Sequence, residues 1–156
     1  MFSKPKIMDK LNCSHTSFKV DFHFKNNITL LMGDSGVGKT LVFSILKEAS
    51  VDNEKLICFN YLDANKDILK ELKNITGKLV VIDNADTLLT REIRKWIVFD
   101  NKNQYLIIGR NPADLLITKE NLYQLVVIKK EEQIKFTLEN LLERSDMDGD
   151  TDGSMG

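Results

Sequence analysis

The chain has 156 residues, of which 42% are hydrophobic and 29% are charged, and its formal net charge is −1. This balance predicts a soluble globular domain and excludes a disordered or fibrous chain. The near-neutral charge excludes the strongly basic surface typical of nucleic-acid-binding proteins, and no apolar run reaches the roughly 18 residues of a membrane helix. The two cysteines have neither disulfide-framework nor metal-ligand spacing, so we expect a reducing, cytoplasmic location.

Two strands and a helix are predicted in the first third of the chain. Apolar and polar residues alternate over residues 17–24, which indicates a half-buried strand. Residues 28–32 form a short apolar run that ends before a glycine, as expected for a strand buried on both faces. Residues 40–49 then place their apolar side chains on one stripe of a helix.

The alternation of strand and helix continues through the middle of the chain. Strands are predicted at residues 56–59, 79–83 and 105–108, and apolar stripes predict helices over residues 68–75 and 89–97. Strands that alternate with amphipathic helices require right-handed crossovers and a parallel sheet covered on both faces. The predicted fold class is therefore α/β, a three-layer α/β/α domain with a mainly parallel five-stranded sheet.

The last third of the chain leaves two structures open. Residues 125–128 predict a fifth core strand, and residues 133–138 either pair with it across a turn or form a terminal helix. From residue 145 the chain is rich in Asp and Gly, with almost nothing to bury. We therefore predict a nucleotide-binding domain over residues 1–144 and an acidic disordered tail over residues 145–156.

A glycine-rich segment between the second strand and the first helix matches the Walker A pattern, Gly-x4-Gly-Lys-Thr, in full. Its glycines let successive backbone N–H groups point at a phosphate, which also feels the positive end of the helix dipole. Lys39 is expected to reach the β- and γ-phosphate oxygens, and the Thr40 hydroxyl to ligate Mg²⁺. The predicted nucleotide-binding residues are Gly33, Asp34, Ser35, Gly36, Val37, Gly38, Lys39, Thr40 and Leu41. The predicted ligand is ATP with Mg²⁺.

A second motif supplies the carboxylate that such a site requires. The apolar strand at residues 79–83 ends in Asp83, as in a Walker B strand that places a carboxylate beside the metal. Over residues 28–111 the chain resembles the additional-strand P-loop ATPases, the group that contains the AAA+ and STAND proteins. The resemblance implies ATP hydrolysis, with Lys39 and Asp83 among the catalytic residues and with Thr40 and Asp83 at the metal.

The chain departs from that group directly after the Walker B strand. Many members carry a glutamate there that polarises the attacking water, whereas this chain has Asn84, which cannot accept a proton. Hydrolysis is therefore expected to be slow, absent, or dependent on Asp86 or a partner. Asp86 is either a catalytic carboxylate or the cap of the next helix. The resemblance also implies a polar sensor of the γ-phosphate after the strand at residues 105–108, and this sensor is Asn111 or Arg110. Alternatively, Asn111 is an N-cap before Pro112.

Three other functions are compatible with a phosphate-binding loop. A Ras-like GTPase shares the phosphate loop, but the chain contains no Asn-Lys-x-Asp motif to read guanine. Small-molecule kinases usually carry an arginine-rich lid, and residues 112–123 contain no arginine. A nucleotide-dependent assembly module needs no hydrolysis, which suits Asn84, and the later strands faintly resemble Zot-type phage assembly ATPases. The expected partners are a nucleoside triphosphate and a second copy of the chain or another protein.

Overall fold

The computed structural model describes residues 6–32, 38–110 and 118–142. The predicted phosphate-loop residues Gly33, Asp34, Ser35, Gly36 and Val37, the predicted sensor Asn111, and the tail over residues 145–156 lie outside these ranges. The strands are β1 (Lys10–His15), β2 (Phe18–His23), β3 (Ile28–Met32), β4 (Leu56–Phe59), β5 (Leu79–Ile82), β6 (Gln104–Ile108), β7 (Leu122–Lys130) and β8 (Gln133–Asn140). The described α-helices are α1 (Lys39–Ser50), α2 (Ile68–Lys73), α3 (Ala85–Leu88) and α4 (Arg91–Phe99).

The predicted three-layer α/β/α fold with a mainly parallel five-stranded sheet is wrong. The strands form one mixed sheet of eight, in the order β1-β2-β8-β7-β3-β6-β5-β4, which curls into a half-barrel. The run from β7 to β4 is parallel, whereas β8 is antiparallel to β7, β2 is parallel to β8, and β1 is antiparallel to β2. The difference arises because the β1–β2 and β7–β8 hairpins extend one side of the sheet. The predicted five-stranded parallel sheet does not contain these antiparallel pairs.

The two faces of the sheet are covered differently. On one face α1 lies against the curled strands, and the shared core includes Phe22, Leu46 and Phe136. On the other face α2, α3 and α4 pack over residues such as Val80 and Ile107. Curling lets β1, β2 and β8 bury apolar side chains against the same helix that β3 and β5 contact. None of the described helices is long and apolar enough to cross a membrane.

The local predictions succeeded where apolar runs were short and bounded. The strands at residues 28–32 and 56–59 are present with those bounds. The hairpin alternative for the last third is correct, because β7 pairs with β8 from Tyr123↔Asn140 to Lys130↔Gln133. Strand β1 and the four-residue α3 were not predicted, and the helix predicted from residue 89 begins at Arg91 instead.

The register of the parallel strands brings three strand ends to one edge. Leu31 of β3 pairs with Ile108 of β6, and Ile82 of β5 pairs with Ile107. Because these strands run in the same direction, the chain leaves all three at the same, carboxyl edge of the sheet. The residues that follow them are the candidate site.

Candidate functional site

The first part of the site is the start of α1. Gly38 is the N-cap of the helix and has φ of 100°, a left-handed conformation that glycine adopts without strain. Its carbonyl accepts a hydrogen bond from the Val42 amide (2.9 Å), which begins the helix. Lys39 follows with only 8% of its side chain exposed, whereas Thr40 is exposed. Leu41 packs its side chain against the core, so only its backbone is suited to phosphate.

The second part is Asp83, which follows β5. Its amide donates to the Phe59 carbonyl (2.9 Å), which extends the ladder with β4 by one residue. Burial raises the pKa of the Asp83 carboxyl, and the Asn84 amide and the positive charge of Lys39 partly oppose that shift. The carboxylate therefore lies close enough to Lys39 for their charges to interact. An ionised carboxylate at a partly desolvated position is favourable for a cation.

Asn84 shapes the turn after Asp83. It has φ of 54°, and its amide donates to Oδ1 of Asp83 (2.8 Å). Its side-chain Oδ1 accepts the Tyr61 amide (3.1 Å), and its carbonyl accepts the Thr87 amide (2.9 Å). Asparagine is one of the few residues that adopt this left-handed conformation readily. Asn84 therefore orients Asp83 and joins the turn to the loop after β4.

Asp86 connects α3 to the end of β6. The N-cap of α3 is Asn84, so Asp86 lies within the first turn and is not the cap that one sequence interpretation assigned to it. Its Oδ2 accepts a hydrogen bond from the Arg110 amide (2.9 Å). A methyl group on Gly109 would lie 3.2 Å from Cβ of Ala85, so glycine permits the close approach of α3.

These strand ends enclose a cavity of about 120 Å³. Its lining residues are Lys39, Thr40, Asp83, Asn84, Asp86, Ile108, Gly109 and Arg110. The structure therefore brings Lys39, Thr40, Asp83 and Asp86 together on one cavity. Gly109 was missed, although a glycine directly after a buried strand is a recognisable signal of close backbone approach.

A metal ion at this cavity would find few protein ligands. No group of three or more His, Cys, Asp or Glu side chains with metal-binding geometry occurs in the described part of the chain. The cavity does present the Asp83 carboxylate and the Thr40 hydroxyl, which are hard oxygen ligands. Mg²⁺ commonly uses one or two protein oxygens and completes its shell with phosphate and water. The residues present fit Mg²⁺ that is carried by a polyphosphate.

A larger cavity of about 580 Å³ adjoins the first and shares Asn84, Asp86, Gly109 and Arg110 with it. It also reaches Arg94 and lies towards α3 and α4.

Comparison with known proteins does not assign a family. No family model matches the chain, and a search of curated proteins finds no significant match. Function therefore has to be inferred from the residues at the carboxyl edge.

Proposed function

We propose that this protein binds Mg-ATP at the carboxyl edge of its sheet as a P-loop protein and hydrolyses it slowly or after activation by a partner. The observation that carries the proposal is the cavity that Lys39, Thr40, Asp83 and Asp86 line together. These residues come from the start of α1, from the position after β5 and from the first turn of α3, and Lys39 and Thr40 complete a Walker A sequence.

The strand order adds support. Strand β3 leads into the glycine-rich segment and β5 leads into Asp83, and β6 lies between them. One strand inserted between those two is the layout that the name of the additional-strand group describes. In the proposed site, Lys39 neutralises phosphate charge, while Thr40 and Asp83 orient the magnesium that ATP carries.

The proposed hydrolysis depends on which side chain can orient water. The side-chain Oδ1 of Asn84 accepts a hydrogen bond from the Tyr61 backbone amide, and Oδ1 is the only acceptor atom of that side chain. A carboxamide side chain also cannot act as a general base. Asp86 retains a carboxylate on the same cavity, where the Arg110 amide fixes one of its oxygens. Asp86 is therefore the general base in this proposal, and its exposure to solvent is consistent with the slow hydrolysis that we propose.

Titration with nucleotide tests the binding site. Calorimetry with ATP and GTP, with and without Mg²⁺, should show Mg-dependent ATP binding by the wild-type chain. Lys39→Ala should weaken it by at least about tenfold, because a charge-assisted contact to phosphate is lost. Lys47→Ala is the matched control, since Lys47 is an exposed lysine near the other end of α1. Equal affinity in the wild type and Lys39→Ala would refute the assignment.

A second candidate is a nucleotide-dependent assembly module without significant hydrolysis. The hydrogen bond from the Tyr61 amide to Asn84 favours the assembly module, because the residue after Asp83 then stabilises the turn and does not activate water. Phosphate release measured at several protein concentrations separates the two functions. A rate per molecule that rises with concentration indicates a residue supplied by a partner copy, and no release indicates the assembly module. Analysis of products with added acceptors would reveal a kinase instead.

We also propose a cytoplasmic location. Cys13 and Cys58 are both free thiols, and burial raises their pKa to about 11 and about 12. Free, partly buried thiols suit a reducing compartment.

A further inference from the structure

The β7–β8 hairpin contacts the start of α1 from outside the parallel strands. Strand β7 pairs with β3 through Leu122, Tyr123 and Gln124 only, and then continues beyond Met32 as far as Lys130. Beyond that point it remains paired with β8. The overhanging part of the hairpin therefore lies at the same edge of the sheet as the candidate site.

Two side chains of this hairpin limit the space around Gly38. A methyl group on Gly38 would lie 2.8 Å from Cε1 of Phe136 and 3.6 Å from Cδ2 of Leu125. Phe136 is 3% exposed, and its ring stacks on that of Phe18 at a centroid distance of 6.2 Å. This packing restricts movement of the Phe136 ring, so the ring limits how far the backbone at Gly38 can move towards it.

We propose that Phe136 and Leu125 are positioning residues that hold the phosphate-binding backbone in place. The inference rests on the proposed function, in which Lys39 contacts polyphosphate. Gly38 precedes Lys39 directly and begins α1 through the hydrogen bond from Val42 to its carbonyl. A displacement of Gly38 therefore moves the ammonium group and the first amides of the helix together.

The expected effect on nucleotide binding is large relative to the size of the change. Misplacement of a binding group by about 1 Å can cost on the order of 100-fold in function, and a partial displacement costs less. We expect Leu125→Ala to weaken Mg-ATP about fivefold to tenfold and Phe136→Leu to weaken it further. The variants should lose affinity for ATP and GTP to the same extent, because Phe136 and Leu125 act on the backbone at Gly38 and not on the nucleobase.

Leu138→Ala is the matched control. Leu138 lies directly opposite Leu125 on β8, and both leucines pack, partly buried, against the same core. Calorimetry with Mg-ATP should show Leu138→Ala within about twofold of wild type, because the side-chain atoms nearest to a methyl group on Gly38 belong to Phe136 and Leu125. Urea unfolding of each variant identifies any loss of affinity that merely follows a loss of stability. Equal weakening by Leu125→Ala and Leu138→Ala, or none by Leu125→Ala and Phe136→Leu, would overturn the inference.

Hydrogen exchange tests the same contact without nucleotide. The Val42 amide donates to Gly38, so its exchange reports the position of that carbonyl. We expect faster exchange at Val42 in Leu125→Ala and Phe136→Leu but not in Leu138→Ala. If the wild type fails to bind Mg-ATP while Val42 responds in this way, the proposed function is wrong and the positioning contact stands. If binding occurs and Val42 does not respond, the positioning inference is wrong.

Discussion

Substitution of Gly38 by alanine gives the sharpest test of how the start of α1 is built. Gly38 has φ of 100°, and a side chain in left-handed backbone costs about 1–2 kcal/mol. The added methyl group would also lie 2.8 Å from Phe136, and overpacking of this kind costs about 1–3 kcal/mol. We therefore expect Gly38→Ala to lower the free energy of unfolding by about 2–5 kcal/mol in urea denaturation.

Gly77→Ala supplies the control for that experiment. Gly77 has φ of 75°, and a methyl group there would have nothing within 4 Å. Both variants share the backbone penalty and the loss of glycine entropy in the unfolded chain, so their difference isolates the contact with Phe136. Adding Phe136→Leu to Gly38→Ala should recover part of the loss in a double-mutant cycle. Equal destabilisation by Gly38→Ala and Gly77→Ala would refute the reasoning.

Three further substitutions test individual carboxylates and their contacts. Asp83→Asn should raise the melting temperature near neutral pH but abolish Mg-dependent ATP binding. Burial raises the pKa of Asp83, so the protonated carboxyl stabilises the fold below the ordinary value of 3.8, and this stabilisation is lost as pH rises through the shifted pKa. The higher melting temperature of Asp83→Asn relative to the wild type should therefore disappear in acid. Tyr105→Phe removes a 2.6 Å hydrogen bond to Asp100 and should lower the free energy of unfolding by about 1.5–3 kcal/mol without changing ATP affinity. Asp86→Asn keeps an oxygen for the Arg110 amide, so phosphate release should fall about 100-fold or more while binding persists; an unchanged rate would remove Asp86 from the proposed chemistry.

The parts of the fold that could be read from the sequence are those specified locally. Residues 28–32 and 56–59 are short apolar runs between polar turns, and such runs are stable only as buried strands. Strand β1 directs only Leu11 fully and Cys13 partly into the core, so its alternation is short and weakly apolar. The pairing of β2 with β8 is invisible in either strand alone, because it depends on Val20 and Phe136 meeting across the curled sheet. This non-local pairing is why the fold class was predicted wrongly.

The sequence indicates which residues lie close together at the carboxyl edge better than it indicates the fold around them. The sequence singles out Lys39, Thr40 and Asp83 by their spacing within two motifs, and these three residues line one cavity. The residues that pack against the site, such as Phe136, belong to no sequence motif. Phe136 reaches Gly38 from a distant strand, and only the three-dimensional packing shows it.

A comparison of two aspartates favours a functional role for the carboxyl edge. Asp100, near the opposite edge, accepts hydrogen bonds from the Tyr105 hydroxyl, the Asn103 side chain and the Lys102 amide. Asp83 is half-buried, and among the described residues its carboxylate accepts a hydrogen bond from the Asn84 amide; burial raises its pKa. A partly desolvated carboxylate with a raised pKa costs stability when it is ionised, and such costs concentrate where a ligand is bound. A cation bound at Asp83 would stabilise its negative charge, as three hydrogen bonds stabilise the charge of Asp100. Mg-ATP should therefore raise the melting temperature of the wild-type chain more than that of Asp83→Asn.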